Sequence, residues 1–171
     1  MKKIKFIILV LIISFQVSAQ KSDKEITKNN IQNEIKFPVK GGFVNDFEKI
    51  FTNQQKSDLK TIVENYKKNS GREIYIITTS EMYGFDNLDA LIDAFIQKWD
   101  IWKLPKKNWL IIFLSKKNRE LKINAGFEAS KYITDKKINE VIGTKVISKL
   151  RENNFFGGIK NAVDELIIIW N

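Results

Sequence analysis

The chain of 171 residues has no cysteine, no histidine and only two prolines. Without cysteine there are no disulfides, no thiolate nucleophile and no thiolate metal site. Without histidine there is no imidazole to act as a general base or to bind zinc. Any chemistry must therefore use carboxylates, hydroxyls, amides, lysine or arginine, and the metals that suit such donors are hard cations such as calcium or magnesium. A glycine-rich phosphate loop is also missing. Gly157-Gly158 follows Phe155-Phe156 at a helix start and reads as a packing or turn feature. There is no internal repeat, and the closing apolar run Leu166–Trp170 is far too short to span a membrane. Lysine far outnumbers arginine and no aromatic-plus-arginine motif is present, so nucleic acid is discounted as a partner.

What is present begins with a leader. Lys2, Lys3 and Lys5 precede an apolar stretch from Phe6 to Phe15, and Val17-Ser18-Ala19 offers a small-residue cleavage site before Gln20. That pattern is a secretory signal peptide, so an exported protein, periplasmic or secreted, is expected. Retention of the leader as an anchor is the alternative, disfavoured by its short apolar core. The formal charge is +9, from 29 basic and 20 acidic residues. Loss of the three leader lysines leaves 26 against 20, or +6. Such a balance suits an anionic membrane or polymer, although it also arises where lysine is simply frequent.

Residues 20–42 read as a polar linker and residues 43–171 as one domain. Thr52-Asn53-Gln54-Gln55 is a capping box, followed at helical spacing by Leu59, Ile62, Val63 and Tyr66 and stopped at Gly71. Ile74–Ile77 predicts a buried strand. A second helix is expected from near Asp86, with Leu91, Ile92, Phe95 and Trp99 on one face. The hairpin that follows is the centre of the pattern. Trp109–Leu114 is apolar throughout, as in a strand buried on both faces, and 120–124 alternates, as in a half-exposed one. A third helix capped by Thr134 or Asp135 and a fourth from about Phe156 complete the order α-β-α-β-β-α-α. One right-handed crossover, a hairpin and about four amphipathic helices predict an α/β protein, a three-layer α/β/α sandwich around a small mixed sheet.

Carboxylates collect at element ends: Asp46, Glu81, Asp86 and Asp135. Ligands tend to bind beyond the carboxyl ends of parallel strands, which makes these candidates. For Asp135 the helix-cap reading stands beside the site reading, and Asp86 reads as a cap. Asn108, Arg119 and Glu128 fall at the ends of the hairpin, where a rim site can form. Arg119 is either part of a charged turn with Lys116 and Lys117 or a group that binds phosphate or locks a carboxylate.

Taken in order, several segments resemble the TPM domain family. They are Phe43-Val44-Asn45-Asp46, Gly71-Arg72-Glu73-Ile74, Asn108 before the apolar strand, Arg119, Gly126-Phe127, Ile133-Thr134-Asp135 and Asn154–Ile159. The resemblance covers about residues 43–170. It implies an α/β/α sandwich with a shallow acidic site for calcium and, in plant members, acid phosphatase activity. Carried over by motif, the site residues are Asp46, Asn108, Arg119 and Asp135, with Asp46 and Asp135 as metal ligands. The family's Gly-Tyr-Gly-Leu-Glu motif aligns with Gly126–Ser130, so Ser130 stands where the motif glutamate belongs and Glu128 where it has a glycine. Calcium, if bound, is expected to bind weakly, since two carboxylates and an amide fall short of the roughly six to eight oxygens it prefers. Many bacterial members continue into a transmembrane helix and a glycine-rich tail. This sequence stops at Asn171, which leads to the expectation of a soluble mature protein.

The functional expectation is an interaction or maintenance module of the cell envelope, with an envelope protein or complex as partner. The alternatives are a calcium-assisted phosphomonoesterase and a basic adaptor at an anionic membrane surface.

Overall fold

The computed structural model describes residues 36–105 and 108–171. The expected signal peptide and most of the expected linker lie outside the described residues. Two units are distinguished. Of the smaller, the described residues are 36–38 and 83–86, where Phe37 packs on Tyr83 with ring centroids 5.3 Å apart and meets Phe85 edge-on. The larger, Val39–Met82 with Asn87–Asn171, holds every strand and helix described below.

Four strands form one sheet in the order β1-β2-β3-β4: β1 (Val44–Asp46), β2 (Glu73–Thr78), β3 (Trp109–Ser115) and β4 (Glu120–Ala125). The first three are parallel, and β4 returns antiparallel to β3. Every residue of β2 and β3 is buried, as a central strand requires, whereas β4 is mostly half-exposed. The hairpin follows the expected pattern, with Ser115 opposite Glu120 across the turn and Ile112 opposite Ile123 in the core.

One strand goes beyond the sequence reading. Three residues, Val44-Asn45-Asp46, were expected only to open the domain, but they pair with Ile76, Ile77 and Thr78 of β2. Three residues are too few to show a period, and only the neighbouring strand gives them their conformation. The sheet therefore has two crossovers instead of one.

Helix α1 (Asn53–Ser70) starts at the predicted capping box. The Gln55 N–H donates to Thr52 Oγ1 at 3.2 Å, and the Thr52 N–H donates to Gln55 Oε1 at 2.9 Å. It ends at Gly71, whose φ of 72° is the left-handed C-cap that glycine adopts without a Cβ penalty. Helix α2 (Leu88–Lys98) is capped by Asn87, not by Asp86. The third helical stretch is segmented: α3 (Asp135–Val141), a π-helical turn (Ile142–Val146) and α4 (Ile147–Arg151). Helix α5 (Phe155–Trp170) closes the chain.

The strand residues sort by alternation. Ile74, Ile76, Leu110, Ile112, Leu114 and Ile123 join one core with α1, α3 and α5. Phe113 lies on the other face, where it meets Phe95 of α2, whose Leu91 and Ile92 are also fully buried. Helices thus cover both faces, giving the three layers. Because β1, β2 and β3 run in one direction across the sheet while α1 and α2 lie on opposite faces, the two crossovers have opposite hands. One of them departs from the right-handed rule. In α5, Ile159, Val163, Leu166 and Trp170 have no exposed surface. Burial of each such side chain is worth about 1.5–3 kcal/mol, which holds this helix to the sheet. Among the described residues no helix is long and apolar enough to cross a membrane.

Candidate functional site

The carboxyl ends of β1, β2 and β3 form one rim of the sheet, and Asp46 ends the first of them. Its carboxylate is engaged by its own loop. Oδ1 accepts from Thr78 Oγ1 at 2.5 Å and from the Ile50 N–H at 3.1 Å, and Oδ2 accepts from the Phe51 N–H at 3.0 Å. The neighbouring Thr78 Oγ1 also accepts from the Glu48 N–H at 3.3 Å. Asp46 therefore ties the β1–α1 loop to β2.

Glu48 does the same for the hairpin. Its two carboxylate oxygens accept the backbone N–H groups of Lys116 and Lys117, each at 2.8 Å. A turn with two N–H groups aimed outward is a small anion-binding concavity, and here an internal carboxylate fills it. The turn ends at Arg119, whose φ of 55° is left-handed, the conformation that a glycine would take most readily.

The candidates read from the sequence do not gather on that rim as a set. Asp46 and Arg119 are there. Asn108 lies at the opposite rim, where β3 begins and its carbonyl accepts from the Glu73 N–H at 3.2 Å. Glu128 and Ser130 follow Gly126, whose N–H bonds to the Trp109 carbonyl at that same opposite rim. Glu128 pairs with Lys131 at 2.7 Å, and Ser130 Oγ donates to the Phe127 carbonyl at 2.9 Å. Asp135 is exposed in the first turn of α3. The cap itself is Thr134, which receives the Lys137 N–H at 3.4 Å. A carboxylate in a first turn is favoured by the helix dipole, so the local placement of Asp135 has a sufficient structural cause. Among the described residues no group of three or more acidic side chains is arranged to hold a metal ion.

Beside Arg119 lies a cleft of about 550 Å³ between the hairpin tip and the junction of α4 with α5. Lys116, Arg119 and Arg151 bring three positive charges to it, against the single acid Glu120. Leu114, Leu121, Leu150 and Phe155 supply an apolar wall. The Lys116 ammonium rests over the Phe155 ring, 5.3 Å from its centroid. The junction is tight because Gly158 allows it: a Cβ there would stand 2.9 Å from Leu150 Cδ2. Asn153, at a φ of 57°, turns the chain, and Asn154 caps α5 by accepting the Gly157 N–H at 2.8 Å. Sequence reading placed Arg119 but not Glu48, Thr78 or Arg151. Thr78 and Glu48 act through contacts 32 and 68 residues away along the chain, which no local spacing reveals.

At the opposite rim, Tyr75 donates to Glu73 Oε2 at 2.5 Å and Lys67 pairs with Glu73 Oε1 at 2.7 Å. Burial, then the hydrogen bond and charge of Glu73, push the Tyr75 hydroxyl well above its ordinary range. This network braces the start of β2 against the end of α1.

Comparison with known proteins places this architecture. The TPM domain family profile matches residues 44–168. The chain belongs to the TPM domain family. Among solved structures, it is similar to the N-terminal domain of a P. gingivalis protein, with a TM-score of 0.66 and 17% identity over 74% of this chain and 80% of that one. The protein BA42 of Bizionia argentinensis matches with a TM-score of 0.60 and 16% identity, covering 73% of this chain and 88% of that one. The N-terminal domain of cg2496 from Corynebacterium glutamicum matches at 0.55 and 14%, covering 80% and 84%. At these identities the likeness is one of fold. No curated protein matches in sequence.

Proposed function

We propose that this protein is an exported interaction or maintenance module of the cell envelope built on a TPM domain, and not a calcium-assisted phosphatase. The observation that carries this reading is the state of Asp46. Its carboxylate, the family-motif acid on the rim, already accepts three internal hydrogen bonds and clamps the β1–α1 loop. Three of the roughly four lone-pair positions of that carboxylate are thus committed to the fold, which leaves little of it for a cation or for base work. Ser130 at the motif-glutamate position agrees with this reading. The leader segment supports export, and the basic balance supports an anionic partner.

The test is hydrolysis of p-nitrophenyl phosphate with and without millimolar calcium, for wild type and Asp46→Asn. No release above the buffer blank is expected from either protein. Calcium-dependent release that Asp46→Asn abolishes would replace this reading with the phosphatase one.

A further inference from the structure

The chain has only three arginines, Arg72, Arg119 and Arg151. Arg72 is used internally: its guanidinium lies 5.4 Å from the Trp170 ring and 5.8 Å from that of Tyr132, and it donates to the Tyr66 hydroxyl at 3.3 Å. The other two both line the cleft beside the hairpin tip, and among the described residues neither has an ion-pair partner. Elsewhere on the surface many lysines are matched, as Lys145 is with Glu165 and Lys149 with Glu152. Two unmatched guanidinium groups and the Lys116 ammonium therefore line one hollow that also has an apolar wall. Guanidinium groups suit planar or tetrahedral oxyanions, which they bind with paired N–H donors. The apolar wall of Leu114, Leu121, Leu150 and Phe155 adds a second requirement, since a bare inorganic anion would leave it wet.

From these observations we infer that the cleft binds an amphiphilic oxyanion, a single carboxylate or phosphate head on an apolar body of a few carbons. Arg119 and Arg151 hold the head, Lys116 adds charge from its seat on Phe155, and the chain of the ligand lies along the leucines. Glu48 has a supporting part. By occupying the N–H groups of the hairpin turn, it fixes the tip from which Lys116 and Arg119 project. The head can belong to a free small molecule or to a lipid at a bilayer surface, and the chemistry recognised is the same. This inference rests on the binding-module reading, and the probe keeps the two separable.

The experiment titrates the full chain with hexylphosphonate, whose phosphorus–carbon bond offers no ester to hydrolyse, and follows binding by calorimetry and amide chemical shifts. The expected result is binding at least tenfold tighter than that of methylphosphonate. Arg119→Gln and Arg151→Gln should each weaken it about tenfold, as loss of a charge-assisted contact implies. Lys68→Gln, the same charge loss on exposed α1, should leave it unchanged. Both arginines are exposed, so each variant is an independent test if the other folds poorly. Competition by phosphatidylglycerol vesicles, but not by phosphatidylcholine vesicles, assigns the head to a lipid. Lack of competition assigns it to a soluble amphiphile. Equal binding of the two phosphonates, or equal weakening by Lys68→Gln and the arginine variants, would overturn the site. Turnover of p-nitrophenyl phosphate would instead overturn the module reading and leave hexylphosphonate binding to stand or fall separately.

Discussion

At the scale of single residues, two side chains on the same rim carry opposite loads. Asp46 is spent on the fold. Its replacement by alanine orphans the Ile50 and Phe51 N–H groups and the Thr78 hydroxyl, and a stability loss of about 2–4 kcal/mol is expected by chemical denaturation. Asp46→Asn keeps one acceptor oxygen and should lose clearly less. If Asp46→Ala were as stable as wild type, the clamp would be unimportant and the carboxylate free for other work. Arg119 shows the reverse. It occupies a left-handed position that glycine fills more easily, yet its long charged side chain has no ion-pair partner among the described residues. Arg119→Gly should raise stability by about 1 kcal/mol, the relieved strain less the added entropy of an unfolded glycine. A melting curve at neutral pH checks this, and a fall in melting temperature would show that the arginine contributes to folding. Of these two roles, the sequence disclosed only that Asp46 and Arg119 sit at element ends. That one is largely committed to the fold and the other has no ion-pair partner among the described residues depends on Thr78 and on where the surrounding acids are held, both facts of tertiary placement.

At the scale of elements, the start of β2 depends on a buried acid that strand periodicity alone would reject. Glu73 is 7% exposed at the start of β2, and it persists there because Tyr75 and Lys67 both contact its carboxylate. The raised pKa of Tyr75 has a defined consequence. The folded protein keeps a proton that the unfolded chain releases near the ordinary value of 10.0. The folded state then binds more protons than the unfolded one above that pH, so stability falls as pH rises beyond it. The contribution is fully present below about pH 10 and is lost as pH climbs towards the folded pKa. Urea midpoints measured from pH 8 to 11 should decline steeply for wild type and less steeply for Tyr75→Phe. Tyr66, also raised by burial, accounts for a remaining slope. At neutral pH the phenylalanine variant should cost about 1 kcal/mol, because Glu73 keeps its lysine. Equal alkaline slopes would remove Tyr75 from this role.

At the scale of the whole molecule, the proposed export makes its own prediction. Intact-mass measurement of the protein from its host should find a chain beginning at Gln20, with or without cyclisation of that glutamine, and a mass that includes Met1 would overturn export by cleavage. The sequence by itself determined the helices, the central hairpin and the sandwich class. Capping boxes, helical spacing, alternation and an unbroken apolar strand are local patterns with local physical causes. It also carried the family, since the motif segments from Phe43 to Ile159 occur in the right order. Tertiary structure alone decided the rest. Val44–Asp46 became a strand because β2 offers it hydrogen bonds, and α1 and α2 took opposite faces because alternate residues of β2 and β3 are apolar on both. The site was decided in the same way. Lys116, Arg119 and Arg151 are spread over 36 positions in the sequence. They meet because the hairpin tip packs beside the glycine-tight junction of α4 and α5, and charge convergence of that kind is a property of packing that no residue spacing encodes.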